Sequence, residues 1–456
     1  MQVLKKLFFF LEPTPYLPEI TDAEQVKSDY RYWRIRTFYS IYLGYALFYF
    51  TRKSFTFAMP SMITELGMSK AELGFLGTVL YLSYGMSKFG SGILSDKANP
   101  RYMMGIGLIL TGLCNLFFGM SSSLFFFALF WGLNGVFQGW GWPPCTKLLM
   151  HWSSRSERGR WWSIHSTSHN LGGALIPLIA AFAATHWGWR AALWAPAAIC
   201  IVAGFWLMRQ LRDVPQTLGL PCIEKFRGEP QPVIAEDPKE AAAHLPVREL
   251  LLKHVLNNPY VWILSLSYFF VYIVRTAVND WGVLYLVQAK GYSNIAAAGA
   301  VSWFEVGGFL GTLGIGWASD AIFRGRRVPV MLLCALGLLV ICGAYWQYPG
   351  QALWIDSLWM ATVGFLIFGP QLLVGLAAAE YVDKKAACTA NGFAGFCAYI
   401  GAASTGYPLG KIIDVWGWEG FFITLLVCTG AIFVFLLPLA RSHRKVALYE
   451  APAAVS

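Results

Sequence analysis

The chain is poor in charged residues. Asp, Glu, Lys and Arg make up 13% of its 456 residues, whereas roughly 25% is usual for soluble domains. Apolar residues account for 56%, and the 20 Trp, 21 Tyr and 33 Phe form more aromatic surface than so few polar side chains could cover in water. A bilayer accepts such surface and favours Trp and Tyr at its interfaces. This balance excludes an ordinary soluble domain and predicts an all-α membrane protein.

Patterns typical of metal sites, disulfides, secretion and catalysis are missing. None of the nine cysteines forms a Cys-x-x-Cys pair, and nearly all lie inside apolar runs, so we expect small buried side chains. The apolar run from Leu7 to Leu11 is short and has no small-residue cleavage site behind it, which argues against a cleaved signal peptide. No nucleophile–base arrangement stands out. We therefore expect no enzyme activity, no cofactor and no metal.

Acidic residues are fewer than basic ones, 25 against 35, which gives a formal net charge of +10. A basic excess can indicate nucleic-acid binding, but such binding needs a solvated basic face. Here most Lys and Arg lie in short loops between apolar segments. The charge therefore indicates membrane topology, with the lipid bilayer and no nucleic acid as a partner.

Twelve apolar segments are long enough to cross a hydrocarbon core of roughly 30 Å. They cover about 37–59, 71–94, 101–120, 124–149, 160–185, 190–208, 257–288, 294–318, 328–346, 354–381, 386–413 and 419–440. The predicted organisation is a cytoplasmic N-terminal segment 1–36, a six-helix half 37–208, a cytoplasmic linker 209–256, a second six-helix half 257–440 and a cytoplasmic tail 441–456.

Lys and Arg are distributed unequally between the two sides of the membrane. The termini, the linker and the loops after spans 2, 4, 8 and 10 hold 26 of the 35, and the opposite loops hold four. Because positively charged loops stay in the cytoplasm, both termini and the linker are predicted to be cytoplasmic. The five cations left inside the spans are Arg52, Lys53, Lys88, Lys147 and Arg275.

The two halves contain an internal repeat. Gly92–Asp96 (GILSD) recurs 224 residues later as Gly316–Asp320 (GWASD), each followed by basic residues, and Pro144 matches Pro370 at an offset of 226. Two parallel six-helix repeats are the plan of a rocking transporter with a midplane site between its halves. The Gly-x-x-x-Asp loop also resembles the signature of the major facilitator superfamily. We expect two such halves around a central cavity.

Arg52 and Arg275 are 223 residues apart, close to the repeat offset, so we expect them to face one cavity from symmetry-related positions. Two guanidiniums near one point repel each other unless an anion lies between them, and their planar forks match phosphate oxygens. A phosphate monoester is the simplest ligand. The alternative is that each arginine pairs with a structural carboxylate or extends to an interface.

Deep carboxylates are scarce. Only Asp280 and Glu305 are candidates against the five intramembrane cations, so the cavity keeps a positive excess. We expect Lys53, Asp280 and Glu305 to form a network across the interface between the halves. Such a network is either a gate that breaks during transport or static neutralisation of charge.

Two histidines, His165 and His169, share one helical face at spacing i, i+4. Zinc would require a third ligand, which the sequence does not provide at a suitable spacing. We expect His169 to donate to a phosphate or hydroxyl in the cavity, and a packed structural histidine is the alternative. The tyrosines that could line the pore are Tyr45, Tyr49, Tyr84 and Tyr272.

Taken together, these residues resemble the organophosphate:phosphate antiporter family, above all bacterial hexose-6-phosphate transporters and their receptor-like relatives. The resemblance runs from about Tyr30 to Arg441. The motifs that carry it are Tyr49–Phe55 (YFTRKSF), Ser87–Phe89 (SKF), Ser95–Arg101 (SDKANPR), Gln138–Cys145 (QGWGWPPC), Glu157–Gly159 (ERG), Ser168–Gly173 (SHNLGG) and Arg212–Pro215 (RDVP).

The resemblance implies roles for particular residues. Arg52 and Arg275 take the family's phosphate-clamp positions, and Lys53, Asp280 and Glu305 fall on its inter-half ion-pair network. The residues that line the site or neighbour the substrate are Lys88, His169, Tyr45, Tyr49, Trp142 and Tyr272. The implied activity is exchange of hexose 6-phosphate for inorganic phosphate by alternating access in the bacterial inner membrane.

One stretch departs from the family pattern. Some hexose-phosphate antiporters carry an acid and a lysine in the middle of span 11, where this chain reads Gly401–Gly406 (GAASTG). The receptor-like branch, which senses external hexose phosphate through a partner histidine kinase, shares this departure. Gly141–Cys145 (GWPPC) in span 4 is more similar to the transporting members. We therefore favour transport and keep sensing as the alternative.

Overall fold

The computed structural model describes residues 14–229, 256–349, 352–381 and 387–440, and within these ranges the chain is helical and has no strand. The helices are α1 Ala23–Leu66, α2 Lys70–Lys97, α3 Pro100–Met120, α4 Leu124–Gln138, α5 Trp142–Trp152, α6 Arg155–Ser166, α7 Ser168–Trp187, α8 Ala191–Gln210, α9 Ile223–Arg227, α10 Pro259–Lys290, α11 Asn294–Ala321, α12 Arg327–Gln347, α13 Leu353–Glu380, α14 Ala387–Ser404 and α15 Tyr407–Ala440. The predicted tail 441–456 and much of the predicted linker lie outside the described residues.

The internal repeat is visible in the backbone. Gly67 and Gly291 are 224 residues apart, and both end a helix in the left-handed conformation, with φ of 66° and 70°, where glycine is favoured. Two residues further on, the side chains of Ser69 and Ser293 accept hydrogen bonds from first-turn N–H groups of α2 and α11. The first two helices of each half are thus joined by the same turn.

Three of the predicted spans are interrupted. The breaks lie at Gly139–Gly141 within 124–149, at Thr167 within 160–185 and at Thr405–Gly406 within 386–413. Glycine weakens a helix interior, and Pro143 in the first turn of α5 has no N–H with which to continue the preceding helix. The helix α15 then runs through the predicted end of span 11, with non-helical backbone at Gly417.

Eight helical stretches of the described chain are long and apolar enough to cross a membrane, fewer than the twelve predicted segments. The last of them, Gly392–Ala440, covers two predicted spans. The helix α4 has only 15 residues, and α1 and α2 contain many Tyr, Ser and Gly residues as well as cations, all of which lower hydropathy. The polar residues that lower the hydropathy of α1 and α2 include several of the site described below, among them Tyr49, Arg52 and Tyr84.

The halves are bonded together at the end of the molecule formed by residues 66–71, 290–294 and 403–414, which we call the closed end. There the Asp414 carboxylate accepts hydrogen bonds from the N–H groups of Lys70 (3.2 Å) and Ala71 (2.8 Å) in the first turn of α2. A Cβ on Gly74 would lie 2.3 Å from the carbonyl oxygen of Gly406, so two backbones touch at this point. An acid at a helix N-terminus is favourable.

Candidate functional site

The two predicted arginines are found on equivalent helices and in equivalent surroundings. Each stands three residues after a tyrosine, on α1 (Tyr49, Arg52) and on α10 (Tyr272, Arg275), a spacing that places both side chains on one helical face. The distance from the guanidinium carbon to the tyrosine ring centre is 4.5 Å for Arg52 and 5.6 Å for Arg275. The repeat therefore extends to a Tyr-x-x-Arg pair in each half.

Arg52 is buried and held by uncharged groups. Its Nε donates to Gln138 Oε1 at 3.1 Å, and its guanidinium carbon lies 4.5 Å from the ring centre of Tyr84. The amide of Gln138 is itself oriented, because it donates to Thr51 Oγ1 at 3.0 Å and to the Phe48 carbonyl at 3.1 Å. Gln138 was absent from our predicted site residues, although it begins the motif 138–145. The Nη2 of Arg52 has no hydrogen-bond partner in the described structure.

Arg275, like Arg52, has Tyr49 as a neighbour. Its guanidinium lies 4.7 Å from the ring centre of Phe368 on α13 and near the Tyr49 hydroxyl on α1. Its Nε is buried without a partner among the described residues. Within the described part of the chain, no carboxylate lies at ion-pair distance from either arginine. The structural-carboxylate alternative for this pair therefore finds no support in the contacts.

His169 on α7 lies between the aromatic residues that contact the two arginines. Its ring centre is 5.8 Å from that of Tyr49 and 5.8 Å from that of Phe368, and its Nε2 is also buried without a partner among the described residues. Buried polar groups normally have hydrogen-bond partners. Unpartnered N–H groups of Arg52 and Arg275 and the unpartnered Nε2 of His169 thus lie around one tyrosine.

A second group of aromatic residues extends from the arginines along α2. Tyr84 lies 4.9 Å and Tyr272 5.6 Å from the ring of Tyr399 on α14, measured between ring centres. Lys88 places its Nζ 5.2 Å from the same ring. The structure therefore brings the predicted residues of both halves together through Tyr399, which we had not predicted. Its sequence neighbours are small and apolar, and it has no counterpart in the repeat.

The remaining predicted residues, Tyr45 and Trp142, pack against each other and against His165. The ring centres of Tyr45 and Trp142 are 5.0 Å apart, and those of Trp142 and His165 are 5.2 Å apart. Both ring nitrogens of His165 lack partners among the described residues, and its ring contacts those of Tyr45 and Trp142. In the described ranges, no group of three His, Cys, Asp or Glu residues could hold a metal ion.

The predicted ion-pair network is divided into two parts. Lys53 on α1 pairs with Asp280 on α10, and Tyr81 on α2 donates to the same carboxylate at 2.6 Å. Glu305 instead accepts from the amides of Asn279 at 2.7 Å and Asn170 at 3.0 Å. The expected direct link from Glu305 to the Lys53 pair is therefore not formed. Both parts still join the two halves.

The position of Glu305 explains this difference. It is 1% exposed and packs against α7, where a Cβ on Gly173 would lie 2.8 Å from its carboxyl carbon. Lys53 extends towards α2 and α10 instead. Lys147, another intramembrane cation of the sequence, pairs with Asp213 at 3.3 Å. The cations near the site without a carboxylate partner among the described residues are thus Arg52, Arg275 and Lys88.

The positioning of Arg52 by Gln138 can be tested by substitution. Gln138→Leu removes the acceptor that orients Nε, and we expect about tenfold weaker binding of inorganic phosphate, since one hydrogen bond to a charged group contributes about 1.5–3 kcal/mol. Gln138→Glu keeps the acceptor but adds a charge that competes with the anion, so the loss should be greater. Binding is measured by calorimetry on purified protein.

The control for this test is Gln210→Leu, which changes the same residue type where its side chain meets the Tyr39 hydroxyl, far along α8 from the site. Unchanged phosphate affinity in both Gln138 variants would mean that Arg52 does not need this amide.

The chain is similar to known membrane transporters in sequence and in fold. The Major Facilitator Superfamily model matches residues 41–406. The probable hexose phosphate transport protein of Chlamydia trachomatis serovar D is 53% identical over 96% of this chain and 97% of its own length. The membrane sensor protein UhpC of Escherichia coli K12 is 47% identical, over 95% and 98%. The glycerol-3-phosphate transporter of Bacillus subtilis 168 is 38% identical, over 93% and 96%.

Among solved structures, a bacterial homolog of the human lysosomal transporter Spinster, in an inward-facing and unoccupied conformation, superposes with a TM-score of 0.68 over 90% of this chain and 95% of its own. Its sequence identity of 17% supports the fold alone. The curated relatives confirm the resemblance found in the sequence to the organophosphate:phosphate antiporters. The chain belongs to the Major Facilitator Superfamily, a family of multi-pass membrane transporters and not of enzymes.

Proposed function

We propose that the protein is a secondary transporter that exchanges hexose 6-phosphate, with glucose-6-phosphate as the foremost substrate, for inorganic phosphate. The observation that carries this proposal is the pair Arg52 and Arg275, placed symmetrically on α1 and α10 with no carboxylate beside them in the described structure. A phosphate dianion between the two guanidiniums would remove their mutual repulsion and supply the missing acceptors. The names of the hexose phosphate and glycerol-3-phosphate relatives support this class of substrate.

The sugar would extend from the phosphate into the aromatic surroundings. His169 would contact the phosphate or a hydroxyl through its unpartnered Nε2, and Lys88 adds a cation near Tyr399. Aromatic faces such as that of Trp142 suit the apolar face of a hexose ring, and the tyrosine hydroxyls of Tyr45 and Tyr84 suit its hydroxyl groups. A site of this kind would recognise an ester with both a charged and a polar end.

The membrane arrangement that we propose has twelve spans, in halves 37–208 and 257–440, with both termini and the linker 209–256 on the cytoplasmic side of the bacterial inner membrane. The repeated turns at Gly67 and Gly291 and the concentration of Lys and Arg in one set of loops support it. In this orientation the closed end faces outward.

Transport would proceed by rocking of the halves about the central site. Hydrogen bonds between the halves are found from the closed end to the level of Glu305, which supports an inward-facing state of the described chain. The pair Lys53–Asp280 crosses the same interface. Opening towards the outside would require this pair and the Asp414 contacts to separate.

Sensing of external hexose phosphate through a partner histidine kinase is the second candidate. The UhpC relative is named a membrane sensor protein, and the stretch 401–406 lacks the acid and lysine of some antiporters. The small residues of the stretch 401–406 are needed for packing. A Cβ on Gly401 would lie 2.2 Å from the Phe269 carbonyl oxygen, and a Cβ on Gly406 would lie 2.2 Å from Thr78 Oγ1. The motif 141–145, similar to that of transporting members, favours exchange.

The deciding experiment uses purified protein in liposomes without any partner. We expect uptake of labelled glucose-6-phosphate into phosphate-loaded vesicles, and phosphate–phosphate exchange, both without ATP, because the substrate gradient alone drives alternating access. Empty liposomes are the control. Specific binding of glucose-6-phosphate without exchange above this control would assign the protein to the sensor class.

The arginine pair is tested by substitutions that keep the positive charge and remove the planar guanidinium. Arg52→Lys and Arg275→Lys lose the planar fork, so each should weaken binding of phosphate and hexose phosphate by about tenfold or more. Because both arginines serve one ligand, the double variant should lose less than the sum of the single losses. The measurement is calorimetric titration of folded protein.

The matched control is Arg190→Lys, since Arg190 lies on the Trp189 ring at the start of α8, away from the site. Wild-type affinity in either clamp variant, or competition by free glucose as strong as by its phosphate ester, would show that the arginines are structural.

The Lys53–Asp280 pair is tested by Asp280→Asn, which removes the charge and keeps the shape. If the pair is a gate, exchange should slow several-fold while phosphate affinity changes little, because the variant alters the balance between conformations and not the ligand contacts. Exchange rates and affinities are compared in the same preparation. Parallel losses of both would indicate a direct binding role.

A further inference from the structure

Three arginines, one on α1, one on α3 and one in the segment that follows α8, gather at the C-terminal end of α8. Arg36 Nη2 and Arg212 Nη1 donate to the same carbonyl oxygen, that of Arg209, at 3.1 and 3.0 Å, and Arg101 Nε donates to the carbonyl of Met208. Part of this arrangement follows from the helix, because cations are favourable beside the last carbonyls. Three guanidiniums nevertheless provide many more N–H donors than the Met208 and Arg209 carbonyls can accept.

The cluster is not neutralised by acids. None of the carboxylates in the described structure lies at ion-pair distance from Arg36, Arg101 or Arg212. Burial and the neighbouring guanidiniums of Arg101 and Arg36 lower the pKa of Arg212, so these charges act on one another. Arg36 Nε is buried without a hydrogen-bond partner in this part of the structure. Arg101 and Arg212 donate to carbonyls through one nitrogen each, so their remaining N–H groups can bind an anion.

Aromatic residues surround the cluster as they do at a membrane–water interface. The ring centre of Trp33 lies 4.7 Å from the guanidinium carbon of Arg36 and 4.6 Å from that of Arg212, and Tyr102 lies 5.0 Å from that of Arg101. Tyr32 and Tyr39 lie alongside on α1 and are exposed. The Trp33 ring thus holds Arg36 and Arg212 in place before any ligand binds.

The surface changes from apolar to basic along one face of α8. Val202 (70% exposed) and Phe205 (60% exposed) precede the exposed Arg209 at helical spacings of three and four, which place the three side chains on one face. Apolar exposure of this degree in a membrane transporter marks contact with lipid tails. The basic cluster lies where the headgroups of the same lipids would be.

We propose that Arg36, Arg101 and Arg212 form a binding site for the phosphodiester headgroup of an anionic phospholipid, whose acyl chains lie along Val202 and Phe205. The ligand needs one negative charge, several oxygen acceptors and an apolar tail, which phosphatidylglycerol provides. Basic pockets between membrane helices on the cytoplasmic side suit such headgroups. The site is separate from Arg52 and Arg275 and independent of the transport proposal.

The test measures retention of dioleoyl phosphatidylglycerol by full-length protein in detergent micelles, by native mass spectrometry, with dioleoyl phosphatidylcholine as the uncharged-headgroup comparison. Wild type should bind phosphatidylglycerol about tenfold more tightly. The pair Arg36→Gln and Arg212→Gln should abolish this preference. The matched control, Arg324→Gln with Arg326→Gln, removes two exposed arginines between α11 and α12 in the other half and should preserve it.

Two further variants distinguish this lipid site from the central anion site and from a loss of folding. Arg275→Lys should retain the preference, since it alters only the central site. If the double variant melts at a lower temperature than wild type, the single Arg101→Gln replaces it, with an expected loss of about threefold. Equal retention of both lipids by wild type, or equal loss in the Arg324 and Arg326 control, would overturn the proposal. Displacement of the lipid by millimolar inorganic phosphate would also overturn it, in favour of a site for soluble phosphate.

Discussion

The burial of two guanidiniums without a carboxylate is the constraint on which the site depends. Removing a charge from water costs several kcal/mol even after relaxation, and a carboxylate partner would offset this at the expense of any anionic ligand. The structure uses weaker compensation instead, through the Gln138 oxygen and the faces of Tyr49, Tyr84 and Phe368. These groups stabilise the cations without neutralising them.

The same constraint accounts for the polar interior of the first half. Gln138 can orient Arg52 only if its own amide is held, and Asn134 accepts from it while donating to the Thr51 carbonyl at 2.9 Å. Asn115 continues the chain to Ser54 at 2.9 Å. The helix α4 ends directly after Gln138. A buried network of this type is stable only when its members are satisfied, so the interior of α1, α3 and α4 is organised around one arginine.

The charged residues of the site could be predicted from the sequence more completely than its aromatic residues. Arg52, Arg275, Lys53 and Asp280 were found because a charge inside an apolar segment is conspicuous and the repeat offset relates the halves. Tyr399 and Phe368 were not predicted, since an aromatic residue in a membrane helix is ordinary and its contacts depend on helix rotation and crossing. The contact of the Glu305 carboxylate with α7 also depends on tertiary packing, so the sequence did not predict it.

The breaks at residues 139–141 and 405–406 were missed for a related reason. Hydropathy registers a continuous apolar segment, whereas the backbone responds to glycine, proline and the approach of another helix. At Gly406 the backbone of α2 is so close that a Cβ would lie 2.4 Å from the Gly74 carbonyl oxygen. Fold class and halves thus follow from composition and repetition, and the interruptions follow from contacts between segments distant in sequence.

The arrangement along α1 and α10 connects ligand binding to conformation. Arg52 is followed directly by Lys53, and Arg275 stands five residues before Asp280, so the same two helices carry both the open anion site and the pair that joins the halves. Without a ligand, repulsion between the arginines opposes close approach of α1 and α10 at the site, and the Lys53–Asp280 pair offsets it nearer the closed end. An anion bound between the arginines, as we propose, would turn that repulsion into attraction on both helices. It would therefore change the relative energies of the two ends of one interface, which is the condition under which binding can shift a population.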